Sequence, residues 1–249
     1  MSEADSYVQK WLHQEPGMDL AVALCPRAQR SLFRHWGALL NELHAAVFEP
    51  SDAQVAQAKL AWWGDELERA VTASTRHPLL QSLVAHVQVR AIDASAWRDL
   101  GRMAFRLAGI EDPVADVDAM LHEHRDLALR IAAIEAQLFG GDADADGVIG
   151  HQLLCRLRLA CRGQARRTFW PLRLRARLGG DADSKRLARE FASELETRLG
   201  PGRCAPLFRR CTNVLDAQAW RALASGAAAE HAKPGPVLLW RLWRAARGA

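Results

Sequence analysis

Apolar residues recur along this chain at intervals of three and four, the spacing that gathers them on one side of an α-helix. Across 27–47, Leu32, Phe33, Trp36, Leu39, Leu40, Leu43 and Val47 form one stripe. Pro26 stands at the expected first turn, where its missing N–H costs nothing. Glu49-Pro50-Ser51-Asp52 breaks that helix, and Ser51 or Asp52 caps the next. The next stripe is Ala56, Leu60, Trp63, Leu67 and Val71. His77-Pro78 opens a helix running to about Arg90, and others are predicted over 95–107 and 114–139. In the last of these Met120, Leu127, Ile131, Ile134 and Leu138 are in register.

Beyond a glycine-rich joint at 140–147 come an arginine-laden segment, 151–178, and a helix over 184–199. Gly200-Pro201-Gly202 ends that helix. Two shorter helices, 205–214 and 216–228, lead to Pro234-Gly235-Pro236 and a tryptophan-rich helix. No period-two strand pattern survives, no repeat is visible, and no linker is long enough to separate domains. The expectation is one all-α domain spanning 1–249.

Composition supports this. A single tyrosine and few β-branched residues, against abundant Ala, Leu and Arg, favour helices over sheets. The net charge of +4 permits contact with anionic membranes, phosphates or nucleic acid. No nucleic-acid recognition motif accompanies it, so nucleic acid is not an expected partner. Five cysteines, Cys25, Cys155, Cys161, Cys204 and Cys211, are odd in number and contain no Cys-x-x-Cys pair. With the polar start Met1-Ser2-Glu3-Ala4-Asp5 they point to a reducing cytoplasm. No apolar run approaches the ~20 residues of a bilayer span, which leaves peripheral contact with an inner membrane open.

Several local patterns carry candidate chemistry. Trp62 and Trp63 cannot face one way on a helix; Trp63 is expected in the core, with Trp62 on a neighbouring helix or at an interface. The stretch from Asp142 to Ile149 copies the first eight positions of an EF-hand loop. Leu153 holds the twelfth, where the closing acid belongs, so a polar interhelix joint is expected. His122-Glu123-His124 lacks the i, i+4 spacing of a helical zinc pair and reads as a surface face. No Ser, Cys or His arrangement suggests a nucleophile elbow or a Cys-His pair. Residues 236–247 alternate Leu238, Leu239, Trp240, Leu242 and Trp243 with Arg241, Arg244 and Arg247. This is either a last core helix with a basic edge or a helix lying on anionic lipid.

An ordered set of motifs adds a family resemblance. Leu24-Cys25-Pro26 with Arg30 and Phe33, then Glu49-Pro50, Trp62-Trp63 and His77-Pro78, resemble the start of the squalene/phytoene synthase family. Arg167-Thr168-Phe169-Trp170-Pro171 is similar to the segment after that family's second acidic motif, and 236–244 resembles the end of bacterial members. The Trp-Trp block looks most like a bacterial and mitochondrial branch that includes a respiratory complex I assembly factor. The resemblance implies a helical bundle around a long apolar cavity. It also implies two Asp-rich motifs on facing helices, holding Mg²⁺ against a prenyl diphosphate.

Those acids are missing. Aligned on the family, the first motif is Asn41-Glu42-Leu43-His44-Ala45, and from His151 through Gly180 there is no Asp or Glu at all. Arg158 and Arg162 fall where the second motif's aspartates belong. An arginine stays charged and repels a cation, so neither a bound metal nor any other cofactor is expected. Two uses of the arginines remain open. Arg158, Arg162, Arg166 and Arg167, facing Asn41 and Glu42, bind a prenyl phosphate without metal; or they face solvent in a member that has lost its chemistry. The resemblance thus implies a catalytically degenerate protein acting through an isoprenoid-like ligand, or as a membrane-peripheral accessory factor with a protein partner. The alternative is an active prenyltransferase of squalene, carotenoid or hopanoid synthesis with an altered diphosphate site.

Overall fold

The computed structural model describes residues 2–15, 17–72, 74–110, 112–162, 169–179, 182–200, 204–226 and 235–248. They form thirteen α-helices, one 3₁₀ turn and no strand, so the all-α expectation holds. Two helices precede the first predicted stripe: α1, Glu3–Gln14, and α2, Met18–Leu24. A reciprocal Ser2–Asp5 capping box starts α1, which buries Val8 and Trp11. After the 3₁₀ turn Arg27–Gln29 comes α3, Arg30–Phe48, which is buried on most of its circumference.

Asp52 caps α4, Ala53–Val71, by accepting from the Gln54 N–H at 2.6 Å. The predicted 77–90 helix is two: α5, Pro78–Val84, and α6, Val87–Arg90. The break comes at His86, which is extended and packs its ring against His35. Asp93 caps α7, Ala94–Ala108, which lies along α4. Gly101 makes that approach possible, because a Cβ there would sit 3.0 Å from the Gly64 Cα.

Asp116 caps α8, Val117–Phe139, and Asp144 caps α9, Ala145–Cys161. Then follow α10, Leu172–Leu178, and α11, Ser184–Glu196. The two helices expected over 205–228 are one, α12, Leu207–Ala224. No glycine or proline interrupts that span. Finally α13, Pro236–Arg247, packs on α12 and α2.

One buried apolar cluster runs from Val8 to Ala246 and joins all the long helices. At its centre the rings of Phe33, Phe139 and Phe208 lie 4.7–6.2 Å apart, with Trp11 beside them. Next to these rings sits a buried ion pair. Arg209 donates two hydrogen bonds to Glu135, at 2.6 and 2.9 Å, and the Trp36 indole N–H donates a third. Trp63 lies in the core and Trp62 is half-exposed beside His77, as expected of the tryptophan pair. No helix among the described residues is long and apolar enough to cross a membrane.

Candidate functional site

Two cavities flank α9. The one of about 180 Å³ lies towards α11 and α12, lined by Leu195, Leu199 and Trp220. The other, about 120 Å³, opens between α3 and α9 and is closed at one end by Gln14 and Glu15. Its α3 wall is Asn41, His44, Ala45 and Phe48; its α9 wall is Cys155, Arg158, Leu159 and Arg162. The two segments aligned with the acidic motifs therefore face each other across one pocket.

Of the expected site residues, Asn41, Arg158 and Arg162 are brought together here. Glu42 is not. It lies next to Asn41 on the helix and turns towards α1, where it accepts from Lys10 Nζ at 2.7 Å. Arg166 and Arg167 lie outside the described residues. Nor do the other arginines all face solvent. Arg156 is buried, stacked between Phe48 and Phe169 and donating to His124 at 2.7 Å. His124 is itself fully buried and bonded to Gln152, so the surface expectation holds only for His122.

Arg158 is also buried, and its Nη1 donates to Glu15 Oε2 at 3.2 Å. Glu15 comes from the C-terminal cap of α1, a helix the hydrophobic pattern did not reveal. Its other oxygen, Oε1, accepts from the Cys155 thiol at 3.3 Å and lies 3.9 Å from His151 Nε2. On α9, His151 and Cys155 are four residues apart and so share a face, with Nε2 3.7 Å from Sγ. The opposite ring nitrogen, His151 Nδ1, faces both carboxylate oxygens of Asp216 on α12, at 3.1 and 3.2 Å. His44 completes the group from α3, its ring centroid 5.7 Å from that of His151.

Burial disfavours charge on these groups, and their neighbours decide the outcome. Burial, with His151 close by, pushes His44 down to about 3, so its imidazole is neutral. Burial also opposes the His151 imidazolium, but Cys155, Asp216 and Glu15 raise that group well above its ordinary value. Burial lifts the Cys155 thiol above its usual range despite the adjacent His151. The cysteine is thus a thiol at neutral pH, which is not the state a nucleophile needs.

Three buried polar atoms on the pocket walls have no hydrogen-bond partner among the described residues: Asn41 Nδ2, His44 Nε2 and Arg158 Nε. Such atoms are uncommon in a folded interior. The first and third are donors by chemistry, and Arg162 stands at the exposed rim without an ion pair among the described residues. Both carboxylates that line the pocket, Glu15 and Glu49, come from outside the aligned motifs.

The EF-hand-like stretch does not form a loop. Asp144 accepts from the Gly147 N–H at 3.0 Å and from Asn213 at 2.7 Å, and α9 begins at the next residue. Compared with known proteins, the chain matches no family model and no curated sequence.

Proposed function

We propose that this protein binds the anionic headgroup of an isoprenoid-type lipid in the pocket between α3 and α9, without magnesium and without prenyl transfer. In this reading it is a catalytically degenerate relative of the squalene/phytoene synthases that works as an accessory factor at a membrane surface. The observation that carries the proposal is the pair of partnerless donors, Asn41 Nδ2 and Arg158 Nε, on opposite walls of one pocket. A phosphate oxygen satisfies both, and Arg162 adds charge at the mouth. The pocket, about 120 Å³, is smaller than the ~300–1,000 Å³ that enclose whole small-molecule ligands. It suits a headgroup, with the hydrocarbon leaving past Phe48 and Leu159.

Magnesium-assisted departure of diphosphate needs several carboxylates around an octahedral ion. Glu42 is turned away to Lys10, and one oxygen of Glu15 is held by Arg158. The test is titration of farnesyl diphosphate into the purified chain with and without Mg²⁺, followed by tryptophan fluorescence. Saturable binding that Mg²⁺ does not strengthen, weakened about tenfold or more by Arg158→Gln, supports the reading. No binding in either condition overturns it, and turnover of labelled substrate replaces it with a prenyltransferase.

Helix α13 supports the membrane component. It buries Leu238, Leu242 and Ala246 while leaving Val237, Leu239, Trp240 and Trp243 well exposed. Arg244 and Arg247 lie over the two tryptophan rings, at 4.9 and 5.6 Å from their centroids. The helix thus has one face in the core and another combining aromatic and cationic groups, as an interfacial helix requires. Flotation with vesicles containing phosphatidylserine is expected to recover the wild-type chain and to lose Trp240→Ala/Trp243→Ala. Equal recovery of both removes the membrane component.

A further inference from the structure

We infer that Glu15, His44, His151 and Cys155 form a binding site for a zinc-type divalent transition metal at the inner end of this pocket. Tetrahedral zinc holds nitrogen and oxygen at about 2.0–2.2 Å and sulfur at about 2.3 Å. Its ligand atoms are therefore separated from one another by about 3.3–3.8 Å. Two edges of such a figure are already in place, and a third is slightly long. Cys155 Sγ lies 3.3 Å from Glu15 Oε1 and 3.7 Å from His151 Nε2, and those two atoms are 3.9 Å apart.

The fourth corner falls to His44. Ligand atoms of His44, His151 and Cys155 all lie within 4.8 Å of one another, and closing the figure brings His44 towards Glu15. His44 is buried, and its Nε2 has no partner among the described residues, an arrangement that a ligand inside the pocket relieves.

The surrounding shell has the matching form. Asp216 holds His151 through Nδ1 and so directs Nε2 at the site, the carboxylate–histidine arrangement that orients metal ligands. Arg158 grips the remaining oxygen of Glu15, fixing that carboxylate as a one-oxygen ligand and balancing its charge. Two imidazoles, one thiolate and one carboxylate suit zinc and its neighbours; magnesium, which takes oxygen ligands, is poorly served. The absence of Asp-rich motifs therefore does not argue against this metal. The inference stands on these four residues and does not depend on the anion reading.

Cobalt(II), a spectroscopic substitute for zinc, tests it on the whole 249-residue chain. Titration is expected to saturate at one cobalt per chain, with intense visible bands of tetrahedral coordination and a near-ultraviolet thiolate-to-metal band. Zinc should displace the cobalt. Cys155→Ser is expected to abolish the near-ultraviolet band, whereas Cys161→Ser, at an exposed cysteine, keeps it. Asp216→Asn should weaken affinity about 10–100-fold. Asn41→Leu, which removes neither a ligand nor a support of one, retains the cobalt spectrum even if farnesyl diphosphate binding is lost, so the two proposals fail separately. Absence of saturable binding by the wild-type chain overturns the inference without recourse to any variant. So does a near-ultraviolet band that survives in folded Cys155→Ser, with folding checked by circular dichroism.

Discussion

At the junction of α3, α8 and α12, Glu135 and Arg209 are both fully buried, and their polar atoms are matched to each other, to Trp36 and to a backbone carbonyl. Around the pocket between α3 and α9 the chain also buries charged and polar groups, yet Asn41, His44 and Arg158 each leave an atom unmatched. Low dielectric magnifies both arrangements. A closed network fixes the relative position of its helices, while an open one keeps hydrogen-bonding capacity for something that is not part of the chain. The difference separates polar burial that serves the fold from polar burial that serves a ligand. It predicts opposite signs for mutations at the two places.

The largest effect is expected at the closed network. Removing one partner of a buried ion pair strands the other charge and typically costs 3–5 kcal/mol. Glu135→Ala should therefore lower the urea midpoint by a large fraction of the total stability of ~5–15 kcal/mol. The comparison is sharpened by replacing both partners, Glu135→Leu with Arg209→Met, which leaves no stranded charge and should recover most of the loss. If Glu135→Ala costs under about 1 kcal/mol, the pair does not hold the helices as described.

A second closed network lies under the Trp62-Trp63 block and is smaller in effect. Glu66 accepts from the Thr75 hydroxyl at 2.6 Å, from the Arg76 and His77 N–H groups at 2.7 and 3.1 Å, and from Arg69. Burial works to raise its pKa, but these donors outweigh burial and hold it at about 2, below its usual 4.5. Because the folded value is the lower one, the stabilisation is complete above about pH 4.5 and is lost as pH falls towards 2. Its size is on the order of 2 kcal/mol. Unfolding at pH 7 and pH 3 should show wild type losing more stability on acidification than Glu66→Gln. Identical losses would remove Glu66 from the closed class.

How far this division was legible in the sequence follows from the range of the signals. Helical periodicity is local, so α3, α4, α7 and α8 were readable, and so were the cap at Ser51 or Asp52 and the helix start at His77-Pro78, where Asp52 and His77 bond within two residues. The first helix was missed because its apolar residues, Tyr7, Val8, Trp11 and Leu12, sit in a polar segment. The Ser2–Asp5 capping box was the available sign. That omission hid Glu15, the residue that ties the pocket together. Motif order singles out Asn41, Arg158 and Arg162, which line one pocket, and Glu42, which turns to Lys10 because an adjacent residue on a helix is offset by about 100°. His151 and Cys155 carry a readable i, i+4 spacing, but their partners Glu15, His44 and Asp216 come from three other elements. No spacing in the chain encodes that meeting. The sequence reads as a glycine-rich joint over 140–147, although Asp144 starts α9 inside it.

The smallest effects, and the ones that test the comparison most directly, belong to the open network. At most protein positions a polar-to-apolar change in the interior is destabilising, because it breaks a bond. At Asn41 and His44 the atoms concerned have no bond to break, and an unmatched buried polar group costs about 1–3 kcal/mol while it stays. His44→Leu and Asn41→Leu should thus fall within about 1 kcal/mol of wild type or raise stability. The same substitutions should remove ligand binding: metal for His44→Leu, farnesyl diphosphate for Asn41→Leu. Stability kept while binding is lost is the signature of groups retained for a ligand. A loss of 3 kcal/mol or more from either change would mean that these side chains brace the bundle, as Glu135 does, and the distinction between the two buried networks would disappear.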